Sequence, residues 1–353
     1  MRLSIIITNH NYGRFLRDAV TGACRQTHQD TEVIVVDDGS VDDSLDVLGA
    51  FGGPISVITQ PNQGQAGAFN TGLHMATGEV IIFLDADDRL DCDVGERVVH
   101  RLSVNAAVAR VQFPLRLING AGDRLGPTTP AAATDLSRGD LRPRLDRFPD
   151  DIPWQPTSGN AFRRTVLDRI FPVPIEPYRI CADYYLSNLV PWLGQVDALD
   201  QPGGDYRVHG GNNEYATGLR LERLHANLVR TVETHRLARE LAVQVYRTRL
   251  PMDPLETRSV SFLANRLLSL RLDPRGHPFR DDGRMGLLRR GVAAALGRFD
   301  LAWPARVTRA LWFLALAGCP AGAVSAVAVP YQRRCGLLPT PTHDVAAAAA
   351  AAR

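Results

Sequence analysis

Lysine is absent from these 353 residues, and all 40 basic side chains are arginine. We read that bias as codon usage rather than function. Cysteine is scarce. Its five positions, Cys24, Cys92, Cys181, Cys319 and Cys335, are widely spaced and never form a CxxC pair. That suggests neither a cysteine zinc site nor a disulfide framework, and a reducing compartment is expected. No long apolar run opens the chain. MRLSIIITNHNYG holds a short one with no small-residue cleavage site. It is too short for a signal peptide and reads as a first strand. No internal repeat is visible.

What is present is ordinary for a folded chain: 45% apolar and 22% charged residues, enough to bury a core. The charge is unevenly placed. Residues 1–215 carry 19 arginines against 28 acids, a balance of −9, and residues 216–353 carry 21 against 10, a balance of +11. Two regions with different partners are expected.

The first hundred residues alternate two signals. LSIIIT, EVIVVDD, PISVITQ and EVIIFLDADD are apolar runs bounded by turn residues. RFLRDAVTGACRQT, VDDSLDVLGAF and GQAGAFNTGLHMAT between them have helical spacing or small residues. The β-α-β-α-β-α-β order predicts a parallel, Rossmann-like sheet covered by helices. Ligands of such sheets bind at the carboxyl ends of the strands, which gathers Thr8, Asn9, Asp37, Asp38, Asp85 and Asp87 on one edge. Further on, RVQFPLRLINGAGDRLG predicts two strands around a turn with Asn119, Gly120 and Gly122. Residues 127–157 read as a long loop. SGNAFRRTVLDRI reads as a strand end leading into a helix, and ICADYYLSNLVPWLG as a helix with Asp183 near its start. Residues 218–250 have helical spacing with many arginines, residues 255–300 read as less regular helices, and the DVAAAAAAAR tail is of low complexity.

The fourth strand poses a physical question. IIFL runs straight into Asp85, Asp87 and Asp88. Carboxylates so close repel and raise each other's pKa. A cation among them removes the penalty. Residues i and i+2 of a strand share a side, so the Asp85-Ala86-Asp87 triplet can offer two hard oxygen ligands to Mg2+ or Mn2+. An isolated triplet of this kind is more often a plain acidic turn.

The motifs SIIITNHNYGRFLRDAV, EVIVVDDGSVDDS, NQGQAGAFNTGLHMATGEVIIFLDADD, SGNAFRR, CADYY and YRVHGGNN stand in the order of inverting GT-A glycosyltransferases of family 2. The chain resembles that family over residues 3–213. The resemblance implies a GT-A catalytic domain over 1–215, followed by a basic helical region over 216–340 and a tail over 341–353. It implies a nucleotide-sugar donor, more readily uridine-linked, and a glycan or lipid-linked acceptor at the cell surface. Asp87 would be the more direct metal ligand, with Asp85 nearer the ribose and the ion. Asp38 would accept the N3–H of uracil, although Asp38 and Ser40 also suit a helix cap. Thr8, Asn9, Asp37, Gly64, Asn70 and Ala86 would line the donor, the small residues of 62–70 letting backbone amides approach it. Close helix–sheet packing also calls for those small residues. Asp183 would be the general base that takes the acceptor proton. Its competing role is an acid at a helix N-terminus, stabilised by the dipole. His209 would be a third metal ligand or touch the diphosphate, and a structural role is equally open.

Two departures stand out. Phe69 replaces an arginine common in the family, and Ala182 replaces the acid that normally precedes the base. Trp154 and Trp192 are candidates for stacking on a sugar, with core packing favoured. Residues 310–329 carry no charge. They have the length of a membrane span, but GCPAG breaks their middle. A span, an interfacial attachment to anionic lipid and two short packed helices are all open. A cytoplasmic protein is expected from these readings, with peripheral attachment to the inner membrane face open and no nucleic-acid partner. Two rivals remain. A sugar nucleotidyltransferase shares the β/α order but carries a glycine-rich basic loop after its first strand, which NHNYGRF does not match. A non-catalytic binding protein on the same fold would not need both the acidic triplet and Asp183.

Overall fold

The computed structural model describes residues 1–53, 55–131, 136–149, 155–209, 220–246 and 254–328. They form two compact units. One takes residues 1–141 and 155–209, the other 142–149 and 220–328.

The first unit opens as expected: β1 (Leu3–Asn9), α1 (Gly13–Cys24), β2 (Thr31–Asp37), α2 (Ser44–Gly49), β3 (Ile55–Thr59), α3 (Gly64–Met75) and β4 (Val80–Asp85). The four strands are parallel, in the order β4-β1-β2-β3. Leu3, Ile5, Ile6 and Ile7 of β1 are wholly buried. A continuous apolar run of this kind suits a strand covered on both faces. Register then fixes the edge. Thr8 lies beside Asp85, and Asn9 beside Asp37, so the carboxyl ends collect these groups. α3 packs closely on the sheet: a Cβ on Gly72 would lie 2.3 Å from Ile6. Phe69 belongs to this packing, with its ring stacked 4.0 Å from that of Phe83. The family's arginine position is therefore part of the core here.

Beyond β4 come β5 (Arg89–Leu90), α4 (Val94–Val104), β6 (Val108–Gln112), β7 (Leu115–Ile118) and β8 (Arg124–Thr129). The expected pair of strands is three. β6 joins the large sheet, while β7 and β8 form the hairpin around Asn119, whose side-chain oxygen accepts from the amides of Ala121 and Asp123. α5 (Arg142–Arg147) falls within the 127–157 segment and belongs to the second unit. Then follow β9 (Asn160–Arg163), α6 (Arg164–Leu167), α7 (Ile175–Tyr178), α8 (Ala182–Leu189), β10 (Gln195–Ala198) and β11 (Gly204–Arg207). β9 inserts antiparallel between β4 and β6, and β10 closes the seven-stranded sheet. A smaller sheet runs β5-β11-β7-β8. Asp205 of β11 is bracketed there by Arg89 at 2.5 Å and Arg116 at 2.6 Å.

The second unit is helical: α9 (Leu221–Tyr246), α10 (Pro254–Arg258), α11 (Val260–Leu272), α12 (Arg284–Leu296) and α13 (Trp303–Gly318). Phe313, Leu316 and Ala317 of α13 join Leu263, Leu267, Leu287 and Ala295 in one core. α13 ends at Gly318, with Pro320 just beyond. Among the described residues no helix is long and apolar enough to cross a membrane. Of the three open readings for 310–329, the span has no helix to support it: α13 takes only residues 310–318 of that run and packs one face into this core. Trp154, residues 210–213, Cys335 and the 341–353 tail lie outside the described residues.

A buried ionic knot ties α10, α11 and α12. Asp282 takes both ends of Arg266 at 2.7 Å and also meets Arg290 and His277 at 3.0 Å. These partners outweigh burial and hold its carboxyl below the usual 3.8. A depressed carboxylate contributes stability above its unfolded pKa and loses it as pH falls through the folded value. Asp282→Asn is expected to cost about 3–5 kcal/mol at neutral pH, because Arg266 stays buried with its charge half met. Thermal melts at pH 7 and pH 3 check this. The variant and wild type should converge at the lower pH.

Candidate active site

The end of β4 delivers Asp85, Ala86, Asp87 and Asp88 within one turn. Ala86 is buried. Asp88 folds back, its amide donating to the Asp85 carbonyl at 3.0 Å. Its carboxylate accepts from Ser158 Oγ at 2.6 Å and from the Arg207 amide at 2.9 Å. Arg207 also donates to the Asp87 carbonyl at 2.8 Å and to Asp18 at 2.7 Å, which pins the turn to β11 and α1. Neither Ser158 nor Arg207 stands out in the sequence, because each acts on a residue far along the chain.

The electrostatics answer the question raised by the acidic strand end. Burial, then Asp87, then Asp183 push the Asp85 carboxyl up to about 8. Burial, with Asp87 and Asp85 close by, pushes Asp88 well above the usual carboxylate range. Burial and the same acids raise the Tyr12 hydroxyl. Negative charge is crowded here beyond what the protein neutralises, which fits a cation at Asp85 and Asp87. Among the described residues no three His, Cys, Asp or Glu side chains form a complete metal cage. A hard ion that takes one or two carboxylates and fills its other positions with phosphate oxygens and water suits this donor set. His209 is buried, with Nε2 2.9 Å from Asp87 Oδ2. Phe15 lies against its ring at 4.9 Å and Tyr12 at 5.5 Å. This places His209 as the partner of Asp87. A partner of this kind orients a ligand.

Asp183 faces the same cluster. It is the second residue of α8 and is buried. It accepts from the Tyr184 amide at 2.8 Å and from Thr157 Oγ1 at 3.2 Å. Cys181 before it stands in the left-handed region at φ 69°, a conformation that non-glycine residues adopt at a cost. Gln65 links the two carboxylates. Its Nε2 donates to Asp85 and to Thr157 at 3.2 Å each, and its Oε1 accepts from the Ala182 amide at 2.7 Å. Gln65 and Thr157 were missed in sequence because neither charge nor periodicity marks them.

The remaining expected residues divide. Asp37 and Asn9 are buried together. Asn9 Nδ2 donates to Asp37 Oδ2 at 2.7 Å and to Ser40 at 3.0 Å, while Asn9 Oδ1 is buried without a partner. Asp38 accepts from Gln60 and from the amides of Gln63 and Gly64, all at 2.7–2.8 Å. Gly64 stands at φ +76°, and a Cβ there would lie 2.3 Å from the Arg179 carbonyl. The amides at the start of α3 are therefore spent on Asp38 and on Arg179, the latter from Gln65 at 2.8 Å. Asn70 is a strut. Both ends of its amide bond the Val173 backbone, at 2.9 and 2.8 Å. Trp192 is in the core.

Solved proteins share this architecture. S. aureus TarS 1–349 in complex with UDP matches 95% of this chain and 92% of its own, with a TM-score of 0.52 at 14% identity. Its complex with UDP-GlcNAc matches equally. At that identity the likeness is one of fold, and the fold is GT-A. Residues 4–171 match the model described as Glycosyl transferase family 2. An uncharacterized glycosyltransferase of Nostoc sp. is 38% identical over 217 residues, covering 60% of this chain and 66% of the relative. A cholesterol galactosyltransferase of Borreliella burgdorferi is 31% identical over 116 residues, 32% of each chain. The chain thus spans less than two thirds of these relatives.

Proposed function

We propose that this chain is an inverting glycosyltransferase that moves a sugar from a uridine-linked nucleotide-sugar to a glycan or lipid-linked acceptor. The observation that carries the reading is the crowded acidic end of β4, joined through Gln65 and Thr157 to Asp183 on α8. In this reading Asp85 and Asp87 hold Mg2+ or Mn2+. The ion would offset the charge on the departing diphosphate. Thr8, Asn9, Asp37 and Ala86 line the nucleoside side. Asp38 has three of about four acceptor sites filled, which leaves one for a uracil N–H. Asp183 removes the acceptor proton as its oxygen bonds to the anomeric carbon and the bond to the diphosphate breaks on the opposite face. The TarS complexes with UDP and UDP-GlcNAc support the choice of nucleotide. A thermal-shift panel of UDP-, GDP- and dTDP-sugars with Mn2+ tests it. UDP-sugars should raise the melting temperature most, and no shift with any of them would remove the reading.

The Asp85 carboxyl at about 8 sets a pH dependence. At pH 7 it holds a proton that must leave before it can ligate an ion. Joint binding of Mn2+ and UDP should release about one proton at pH 7 and progressively less above pH 8, with affinity rising over that range. Calorimetry in two buffers of different ionisation enthalpy measures this. Identical heats in both would contradict it.

We also propose that the second unit meets an anionic membrane surface, on the inner face of the cytoplasmic membrane. Leu311 and Leu314, 58% and 52% exposed, lie one turn apart on an uncharged face of α13 that follows Arg306 and Arg309. Exposed apolar side chains beside arginines suit a headgroup boundary. The protein should float with anionic vesicles in a salt-sensitive way, and Leu311→Glu with Leu314→Glu should abolish it. Equal binding to neutral vesicles would count against the proposal.

A further inference from the structure

The second unit contains a cavity of about 590 Å3. That is within the usual range for small-molecule sites, roughly 300–1,000 Å3. Five apolar side chains form part of its wall: Val232 and Val243 of α9, Leu255 of α10, Phe262 of α11, and Phe279. The charged groups around it pair off with one exception. Arg236 is held by Glu233 at 2.6 Å and Glu240 at 2.5 Å. Glu256 is held by Arg266 and Arg290, each at 2.5 Å. Arg239 lines the cavity with neither an ion pair nor a hydrogen bond among the described residues.

Beside it stands a second unmet group. His235 Nε2 is buried without a hydrogen-bond partner. Burial, and then the Arg239 charge, push this imidazole down to about 4. The ring is neutral at pH 7 and can offer one N–H. A buried nitrogen left unmatched costs free energy that a ligand can recover, and the part-exposed Arg239 guanidinium beside it offers that ligand a counter-charge.

We propose that this cavity binds an amphiphilic anion, an apolar chain or ring bearing one phosphate or carboxylate, with its head on Arg239 and His235 and its body against the five apolar side chains. One anionic headgroup matches the one lining arginine that holds no acid, and a second headgroup would find no counter-charge, since the other basic groups already hold acids. The site does not depend on the sugar-transfer reading, because it is defined by residues of the second unit alone.

Calorimetry on the full chain tests it with three probes of equal chain length: octyl phosphate, octanoate and octanol. Octyl phosphate or octanoate should bind at one site, and octanol at least about tenfold more weakly, for want of a charge-assisted hydrogen bond. Tighter phosphate binding would indicate a lipid phosphate, and tighter octanoate binding a fatty acid. Arg239→Gln should weaken the preferred anion by about tenfold or more, Arg239→Lys should restore most of it, and Val243→Trp should block it by filling the cavity. Circular dichroism confirms that each variant is folded. No binding of either anion at millimolar concentration, equal binding of octanol, or an unchanged affinity in folded Arg239→Gln would overturn the proposal.

Discussion

Asp183→Asn is expected to leave UDP affinity near wild type while sugar transfer falls by ~10²–10⁴-fold, the usual worth of a positioned base. Asparagine keeps the shape: its Oδ1 can still accept from the Tyr184 amide, while its Nδ2 would face Thr157 Oγ1 as a donor. It cannot take a proton from an acceptor hydroxyl. If Asp183 serves only as an acid at the start of α8, the variant loses at most ~1–2 kcal/mol of stability and turnover per folded molecule is unchanged. Melting temperature, UDP Kd and kcat measured on one sample separate the two. A variant that melts lower but turns over normally would sink the base assignment. Asp205 of β11 is poorly placed to take over. Arg89 and Arg116 bracket it, so its negative charge is already matched.

Asp87→Ala is expected to abolish the part of UDP binding that needs a divalent ion. The reason is local charge. Asp87 is one of the two largest causes, with burial, of the raised carboxyls of both Asp85 and Asp88. Removing it relieves the repulsion and with it the demand for a cation. His209→Ala should act in the same direction but less, by about 10–100-fold in metal affinity, as expected for a group that orients a ligand. Its Nε2 sits 2.9 Å from Asp87 Oδ2. If His209→Ala costs as much as Asp87→Ala, the imidazole is a direct ligand. If Asp87→Ala binds UDP as wild type does with Mn2+, the metal assignment is lost.

Much of the first unit was legible in the chain because its signals are local. Four apolar runs ending in acids or turn residues became β1 to β4, and parallel pairing alone set Thr8 beside Asp85 and Asn9 beside Asp37. α4 went unread. Val94, Val98, Val99 and Leu102 have helical spacing, but β-branched residues weaken the helical signal. β10 is four residues long, too short for alternation to show. Within the site, charge was the visible sign, so Asp85, Asp87 and Asp183 could be named. The links between them could not. Gln65 reaches Asp85 20 residues away and Ala182 117 residues away, and neither contact leaves a periodic trace. The start of α3 shows the opposite case. Its glycines suggested a backbone cradle for a donor, whereas Gly64 owes its identity to a positive φ and to the Arg179 carbonyl pressed against it. The uncharged 310–329 run was ambiguous for a similar reason. Length and hydropathy alone do not separate a packed helix from an interfacial one, and only the partners of Phe313 and Leu316 place that face in a core.

Metal-dependent transfer of sugar by this chain is tested by nucleotide release by the wild-type protein from UDP-glucose, UDP-galactose and UDP-GlcNAc, with Mn2+ and again with a chelator, followed by phosphorus NMR. The expected result is UDP released from at least one of these donors with Mn2+ and none with the chelator. Equal release in chelator, no release from any donor, or formation of nucleotide-sugar from a sugar phosphate and UTP would contradict it.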